Sequence, residues 1–129
     1  MAMLDIIDLK AHFSSPDGLV KAVNSVDLQI KYNERLGLIG ETGCGKTVLG
    51  MSIIRLLPSS AGVEGQIIYN GQDLLHLTEE EMRQLRGREI AMILQNPTTS
   101  LNPVLKVGDQ IAEVISLHKG LGKKEAKAR

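Results

Sequence analysis

Residues 40–47 read GETGCGKT and satisfy the pattern G-x-x-x-x-G-K-[ST] at every defined position. Glycines let the backbone curl tightly and approach an anion closely, so that several N–H groups can surround phosphate oxygens. Lys46 adds a positive charge for the β and γ phosphates, and Thr47 adds a hydroxyl for a bridging Mg²⁺. A helix that begins at Lys46 directs the positive end of its dipole at the same anion. The stretch therefore predicts a loop that binds the phosphates of a nucleotide.

The predicted contacts extend over residues 40–47 and one residue beyond them. They are Gly40, Glu41, Thr42, Gly43, Cys44, Gly45, Lys46, Thr47 and Val48. Cys44 occupies a free position of the pattern, and we interpret it as a bystander thiol whose pKa the neighbouring Lys46 could lower. Because it is the single cysteine of the chain, no internal disulfide can form, which fits a reducing compartment.

The residues on either side of the loop predict its support. Residues 35–39 (RLGLI) form a short apolar run, which is typical of a strand buried on both faces of a parallel sheet. After the loop, apolar residues recur at helical spacing over 46–57, and Pro58 marks the predicted stop. A buried strand, a glycine loop and a helix in this order predict an α/β fold.

The first third of the chain has the character of β structure. Residues 4–13 and 19–30 are rich in apolar and β-branched side chains and are separated by the turn-forming run SSPDG. Residues 66–69 predict a further strand, closed by the tight turn Asn70-Gly71.

The second half alternates helix signals with one more apolar run. Thr78 and Glu81 have the spacing of a capping box, and the helix they open should end near Gly87. Residues 90–94 (IAMIL) predict another buried strand. A later amphipathic helix is predicted from the apolar face formed by Val107, Ile111, Val114 and Ile115.

Composition excludes several classes of protein. The chain has 129 residues, enough for one domain, with 43% hydrophobic and 23% charged residues, which argues against disorder. Fifteen basic residues balance 15 acidic ones, so no global field favours nucleic acid or an anionic membrane. No apolar run approaches the roughly 18–20 residues that span a bilayer, and the N-terminus lacks the features of a signal peptide. The three histidines are too scattered for a structural zinc site.

The segment IAMILQNP at 90–97, followed by TTSLNP at 98–103, resembles the Q-loop region of ABC transporter ATPases. More narrowly, it is similar to the ATPase subunits of oligopeptide, dipeptide and nickel importers. Residues 65–74 and 20–28 are similar to strands of the same family, and the resemblance runs from Leu4 to Arg129. It implies a P-loop NTPase fold: a RecA-like parallel core, an antiparallel β-subdomain and the start of a helical subdomain.

The resemblance also implies a division of the chain. Residues 1–34 and 60–75 would supply the strands of the β-subdomain, and residues 35–58 the phosphate loop and its helix. Residues 88–95 would form the strand that leads into the Q-loop, and residues 96–129 would begin the helical subdomain.

Two further residues receive roles from the resemblance. Phe13 occupies the place of an aromatic ring that stacks on adenine, where many relatives have tyrosine. Gln95 occupies the place of a glutamine that reaches Mg²⁺ and the attacking water. Lys46 and Gln95 would then be the catalytic residues, and Thr47 and Gln95 the ligands of Mg²⁺. Asn33 stands where the family usually has glycine, and asparagine tolerates the same left-handed conformation.

The implied cofactors are ATP and Mg²⁺, and the implied partners are a second ATPase subunit and the membrane permease subunits. Residues 96–104 would contact the permease, at the cytoplasmic face of the cell membrane, and the cargo would be peptides or nickel. No nucleic acid partner is expected.

The sequence contains no LSGGQ-type signature, no apolar strand that ends in Asp-Glu and no histidine in a switch context. We therefore expect an N-terminal portion of the ATPase domain that binds nucleotide without hydrolysing it. A nucleotide-binding fragment or regulatory module is the first alternative, and a small kinase or GTPase with the same loop is the second. The guanine-reading N-K-x-D pattern is absent from the sequence.

Overall fold

The computed structural model describes residues 2–96 and 100–128, which divide into two compact units, Met1–Met82 and Arg83–Arg129. The core of the first unit is formed by fully or almost fully buried aliphatic side chains of the strands, of the first helix and its C-cap, and of a short 3-10 turn. These include Leu4, Ile6, Leu9, Val23, Leu49, Ile54, Ile67 and Leu74. In the second unit Ala112 and Ala126 are buried.

The first unit is built on an antiparallel sheet with strand order β2-β1-β3-β4. Its strands are β1 (Ala2–Ser15), β2 (Gly18–Lys31), β3 (Ala61–Tyr69) and β4 (Gln72–Asp73). Buried Leu4 and Ile6 alternate with more exposed neighbours, as the period of a half-buried strand requires. The two predicted strands, the turn between them and the antiparallel sheet are confirmed, and the strands are somewhat longer than the sequence signals.

Bulges bend the three long strands at one level of the sheet. Asp8 in β1, Ser25 in β2 and Gly65 in β3 all have positive φ, and the strand register shifts beside Asp8. The Ser25 hydroxyl donates to the Asp8 carboxylate, and the Asp8 N–H donates to Asp27 Oδ1 at 2.7 Å. These bonds stabilise left-handed backbone that non-glycine residues rarely adopt.

The first helix, α1 (Lys46–Ile53), begins at the residue that the sequence predicts but ends four residues before Leu57. Arg55 adopts a left-handed conformation with φ 53 just after the helix. Its guanidinium donates to the carbonyl oxygens of Leu74 and Leu77 at 3.1 and 2.6 Å. These acceptors lie about twenty positions along the chain, so a local pattern could not predict where the helix stops.

The turn and cap signals of the middle segment are confirmed. Asn70 and Gly71, with φ of 49 and 84, connect β3 to β4, as a primed hairpin turn requires. A 3-10 turn (Leu74–His76) follows, and then α2 (Glu79–Leu85). At its start the Thr78 N–H donates to Glu81 Oε2 at 2.7 Å, and the Glu81 N–H donates to Thr78 Oγ1 at 3.3 Å.

The second unit contains α3 (Val107–Lys119) and α4 (Lys123–Lys127). Gly120 ends α3 in the left-handed conformation, with φ 64, and its N–H donates to the Ser116 carbonyl. Lys127 and Asp109 form an ion pair between the two helices. Among the described residues, no helix is both long enough and apolar enough to span a bilayer.

Two predicted strands are absent from the part of the chain that the structure describes. Residues 35–39 form no ladder and are exposed, with Ile39 97% exposed. Within the predicted strand 88–95, only Ile90 makes a bridge, to Arg86, and Ile93 is 97% exposed. The backbone of a parallel strand forms its hydrogen bonds with neighbouring strands. Apart from the Arg86–Ile90 bridge, no strand among the described residues pairs with either segment. The apolar composition of these two segments favours burial, but composition alone does not determine whether another strand lies beside them to pair with.

Asp73 links β3, β4 and the 3-10 turn, and its removal tests this part of the fold. Its Oδ1 accepts from the N–H groups of Ile67 and Leu75 at 3.3 and 3.1 Å, and its Oδ2 lies 2.9 Å from His76 Nδ1. Partial burial raises the pKa of the Asp73 carboxyl, but the bonds from Leu75, His76 and Ile67 outweigh it, so the pKa lies below its ordinary value of 3.8.

We expect Asp73→Ala to lower the free energy of unfolding by about 1–2 kcal/mol in urea titrations, as for a lost cap. The matched change Gln72→Ala, at an exposed position of the same strand, should have little effect. Because the folded pKa is lowered, the contribution of Asp73 is complete above pH 3.8 and is lost as the pH falls through the lowered value. Equal stability of the two variants at neutral pH would contradict this role.

Candidate functional site

The glycine loop at residues 40–47 leads directly into α1 through two left-handed residues. Gly43 has φ 86 and Gly45 has φ 93, and Gly45 is the N-cap of the helix. L-amino acids with a side chain adopt such angles only at a cost, so both positions require glycine for a backbone reason. The Cys44 N–H donates to the Glu41 carbonyl at 3.3 Å, which closes the loop on itself.

The Lys46 side chain folds back across the loop. Its Nζ donates to the carbonyl oxygens of Gly40 and Glu41, each at 2.6 Å, and to Cys44 Sγ at 3.2 Å. The ammonium therefore lies at the centre of the loop and is anchored to its first two residues. The predicted residues Gly40, Glu41, Cys44 and Lys46 are thus brought together around one positive charge.

Gly45 also seats the loop against the sheet. A Cβ built on Gly45 would collide with the carbonyl oxygen of Ala22 in β2, so the two backbones approach more closely than any other residue allows. A Cβ on Gly40 would lie 2.5 Å from Cys44 Sγ, inside the loop itself. At Gly43 the same atom would meet nothing within 4 Å. Glycine is therefore required at 45 by a backbone contact and at 43 by its backbone angle, whereas at 40 the contact is with the end of the exposed Cys44 side chain, which can move aside.

The N-terminus of α1 leaves N–H groups available for an anion. Gly45 has no side chain with which to cap the helix, and the first bond within it runs from Leu49 to the Gly45 carbonyl at 2.8 Å. The N–H groups of Lys46, Thr47 and Val48 consequently have no partner within the helix. Thr47 is exposed in this first turn. Such a donor set, with one ammonium and one hydroxyl, fits a phosphate chain and its Mg²⁺.

A cleft of about 350 Å³ lies between the loop and β2. Gly45 and Lys46 line it on the loop side, and Lys21, Ala22 and Asn24 line it on the strand side. The residues of β2 were not predicted to line the site, because 14 or more positions separate them from the loop and only the fold brings them together. Lys21 adds a second basic side chain to this cleft, and it is exposed.

The charge of Lys46 affects the single thiol of the chain. Lys46 donates to the Cys44 sulfur, and this bond lowers the pKa of the thiol from its ordinary value. Cys44 is exposed. The lowered pKa of the Cys44 thiol agrees with the expectation drawn from the spacing of Cys44 and Lys46.

Phe13 lies near the end of β1, paired with Val20 of β2 and Ala61 of β3, and is half-buried. It is not among the residues that line the cleft beside the loop. Its role in stacking on adenine stays a prediction.

Gln95 belongs to the second unit and is exposed in a loop. The strand that was predicted to position it does not form, so its side chain is not held at the edge of a sheet. Of the predicted partner segment 96–104, Pro97, Thr98 and Thr99 lie outside the described residues, and the remaining residues are exposed.

Comparison with known proteins gives a consistent result. The ABC transporter family matches residues 23–129. A probable peptide ABC transporter ATP-binding protein, y4tR of Sinorhizobium fredii, is 45% identical over 126 residues, which are 96% of this chain and 38% of that protein. The oligopeptide transport ATP-binding protein OppD of Escherichia coli is 42% identical over 125 residues, 97% of this chain and 37% of its own length. The chain thus spans well under half of the length of these two relatives.

A solved structure agrees with the fold. The dimeric bacterial ABC transporter cassette MJ0796 superposes with a TM-score of 0.81, at 18% identity, over 98% of this chain and 53% of that one. At this identity the likeness concerns the fold alone. It bears out the predicted P-loop NTPase fold class, although the parallel ladder through residues 35–39 and 90–94 does not form in the described residues.

The two left-handed glycines of the loop provide a matched test of how it is seated. We expect Gly43→Ala to lower the free energy of unfolding by about 1 kcal/mol, the cost of a positive φ alone. Gly45→Ala should lower it by about 1–3 kcal/mol more, because the methyl group must also displace the Ala22 carbonyl. Urea unfolding of both variants measures the difference. Equal losses would mean that the loop does not rest on β2.

Proposed function

Because the chain belongs to the ABC transporter family, we propose that residues 40–48 bind the phosphates of Mg²⁺-ATP. The protein of which they are part would be the ATP-binding subunit of an importer for peptides. The observation that carries the proposal is the position of the Lys46 ammonium inside the glycine loop, at the free N-terminus of α1. A positive charge and free N–H groups that converge on one point favour an anion with several oxygens.

In this proposal each loop residue has a defined task. The N–H groups of residues 43–48 would donate to phosphate oxygens, that of Cys44 after it leaves the Glu41 carbonyl. Lys46 would release the Gly40 and Glu41 carbonyls to bind the β and γ phosphates. The Thr47 hydroxyl becomes a ligand of Mg²⁺, and the metal neutralises phosphate charge when it is bound. Lys21 is placed to contact the nucleotide from the strand side of the cleft. Phe13 is proposed to stack on adenine, and Gln95 to reach Mg²⁺ and the attacking water.

The proposed domain plan follows the family. Residues 1–34 and 60–75 are assigned to the β-subdomain, 35–58 to the phosphate loop and its helix, 88–95 to the approach to the Q-loop, and 96–129 to the helical subdomain.

A second ATPase subunit and the membrane permease are the proposed partners, the latter through residues 96–104. The names of the relatives support peptides as cargo more than nickel. The subunit would lie at the cytoplasmic face of the membrane.

We further propose that residues 1–129 bind nucleotide without turning it over. They include no signature loop and no apolar strand that ends in Asp-Glu, so they lack the general base and the contact from a partner subunit that hydrolysis in this family requires. A nucleotide-binding module without its own ATPase activity is therefore the function proposed for this chain alone.

Calorimetric titration of the chain with Mg²⁺-ATP tests the proposal, with phosphate release followed in the same samples. We expect saturable binding without turnover. Lys46→Ala should weaken binding by about 10- to 100-fold, because it removes charge-assisted hydrogen bonds worth about 1.5–3 kcal/mol.

The control is Lys31→Ala, which removes an exposed lysine at the far end of β2 and should leave the affinity unchanged. Equal affinity of the Lys46 variant and the parent chain would contradict the phosphate role. Turnover that depends on Lys46 would contradict binding without hydrolysis.

A further inference from the structure

The Gln110 side chain holds the segment that precedes α3. Gln110 lies in the first turn of that helix and is half-buried. Its Oε1 accepts from the Asn102 N–H at 2.9 Å, and its Nε2 donates to the carbonyl oxygens of Asn102 and Leu105 at 3.0 and 3.1 Å. One carboxamide therefore satisfies three backbone groups of a loop that has no regular structure of its own.

The held loop also has bonds of its own. Asn102 Oδ1 accepts from the Val104 N–H at 3.1 Å, and the Leu105 N–H donates to the Asn102 carbonyl at 3.2 Å. These bonds close a tight turn over residues 102–105, whose two ends are fixed to α3 through Gln110. Five backbone polar groups of the turn are thus hydrogen-bonded: the N–H groups of Asn102, Val104 and Leu105 and the carbonyls of Asn102 and Leu105.

The turn presents apolar side chains to solvent. Val104 at its tip is 85% exposed, and Leu101 and Leu105 beside it are also exposed. A loop whose backbone is pinned while its apolar side chains face outward is suited to contact another protein, because little ordering entropy remains to be lost on binding. The segment overlaps residues 96–104, which are proposed above to meet the permease.

We propose that Gln110 is a positioning residue: it fixes residues 102–105 in the shape that presents Leu101 and Val104 to the membrane permease subunit. This inference rests on the proposed function of residues 96–104 and identifies the group that shapes them. The partner's contact would be apolar, since the tip of the turn carries no charged side chain.

The chemistry of the side chain is specific. Glutamine supplies one acceptor and two donor hydrogens from a single amide, and only the assigned orientation matches one N–H and two carbonyls. Glutamate keeps the acceptor for the Asn102 N–H but faces the carbonyls of Asn102 and Leu105 with an oxygen. Gln110→Glu should therefore release the turn in part, and Gln110→Ala should release it completely.

The first measurement is hydrogen exchange on residues 1–129. We expect Gln110→Ala to speed exchange of the Asn102 amide about tenfold, which corresponds to a hydrogen bond of about 1–1.5 kcal/mol. The amides in the middle of α3 and the melting temperature should be unchanged. Glu113→Ala, an exposed change in the same helix, is the matched control and should leave Asn102 exchange unaltered.

The second measurement transfers the variants into a chimaera, in which residues 1–129 replace the matching region of the Escherichia coli OppD protein. Peptide uptake and ATP turnover are measured with the membrane subunits of that transporter. We expect Gln110→Ala to reduce peptide uptake several-fold, while the ATP turnover of the isolated subunit stays within twofold of the parent chimaera. Uptake with Gln110→Glu should lie between that of Gln110→Ala and that of the parent chimaera.

Unchanged exchange at Asn102 in Gln110→Ala would overturn the positioning role. Faster exchange of the Asn102 amide with normal peptide uptake would overturn the proposed contact with the permease. A parallel fall in uptake, basal ATP turnover and stability would overturn it too, because it would show that Gln110 has only a structural role. A parent chimaera that binds nucleotide but assembles with no membrane subunit would instead refute the proposed function, and with it the permease part.

Discussion

The backbone contact between Gly45 and the Ala22 carbonyl is the constraint on which the candidate site depends. It sets the phosphate loop against β2, and it leaves room for no side chain at position 45. From that contact α1 begins at Lys46, and the lysine ammonium can return to the Gly40 and Glu41 carbonyls. The antiparallel sheet is therefore part of the proposed nucleotide site, since it provides both the support of the loop and the opposite wall of the cleft.

Local chemistry made much of this predictable from the sequence. The glycine loop, the start of α1, the Asn70-Gly71 turn and the Thr78–Glu81 capping box each depend on residues within a few positions of one another. Where the determinants lie far apart, prediction failed. Helix α1 ends at Ile53, and just after it Arg55 adopts a left-handed conformation and bonds to the distant carbonyls of Leu74 and Leu77. The runs at 35–39 and 90–94 have strand-like composition, but a strand exists only where another strand pairs with it.

The candidate site likewise contains residues that a local pattern predicts and residues that only the fold brings to it. Residues 40–48 form one contiguous pattern, so the sequence identified them. Lys21 and Ala22 enter the cleft only because β2 passes beside the loop, and no local signal marks them. Gln110 bonds to residues five and eight positions earlier, outside any helical spacing. The two compact units hold different proposed tasks: the first binds nucleotide, and the second presents the turn proposed to meet the permease.

The central claim is that the phosphate loop and β2 together form one nucleotide site. Amide chemical shifts of isotope-labelled chain during titration with Mg²⁺-ATP test it most directly, because they report on each backbone N–H separately. We expect the amide signals of residues 41–48 to shift most, and those of residues 21–24 to shift with them at the same ligand concentration. Shifts confined to another region, or changes in the loop without any in β2, would contradict it.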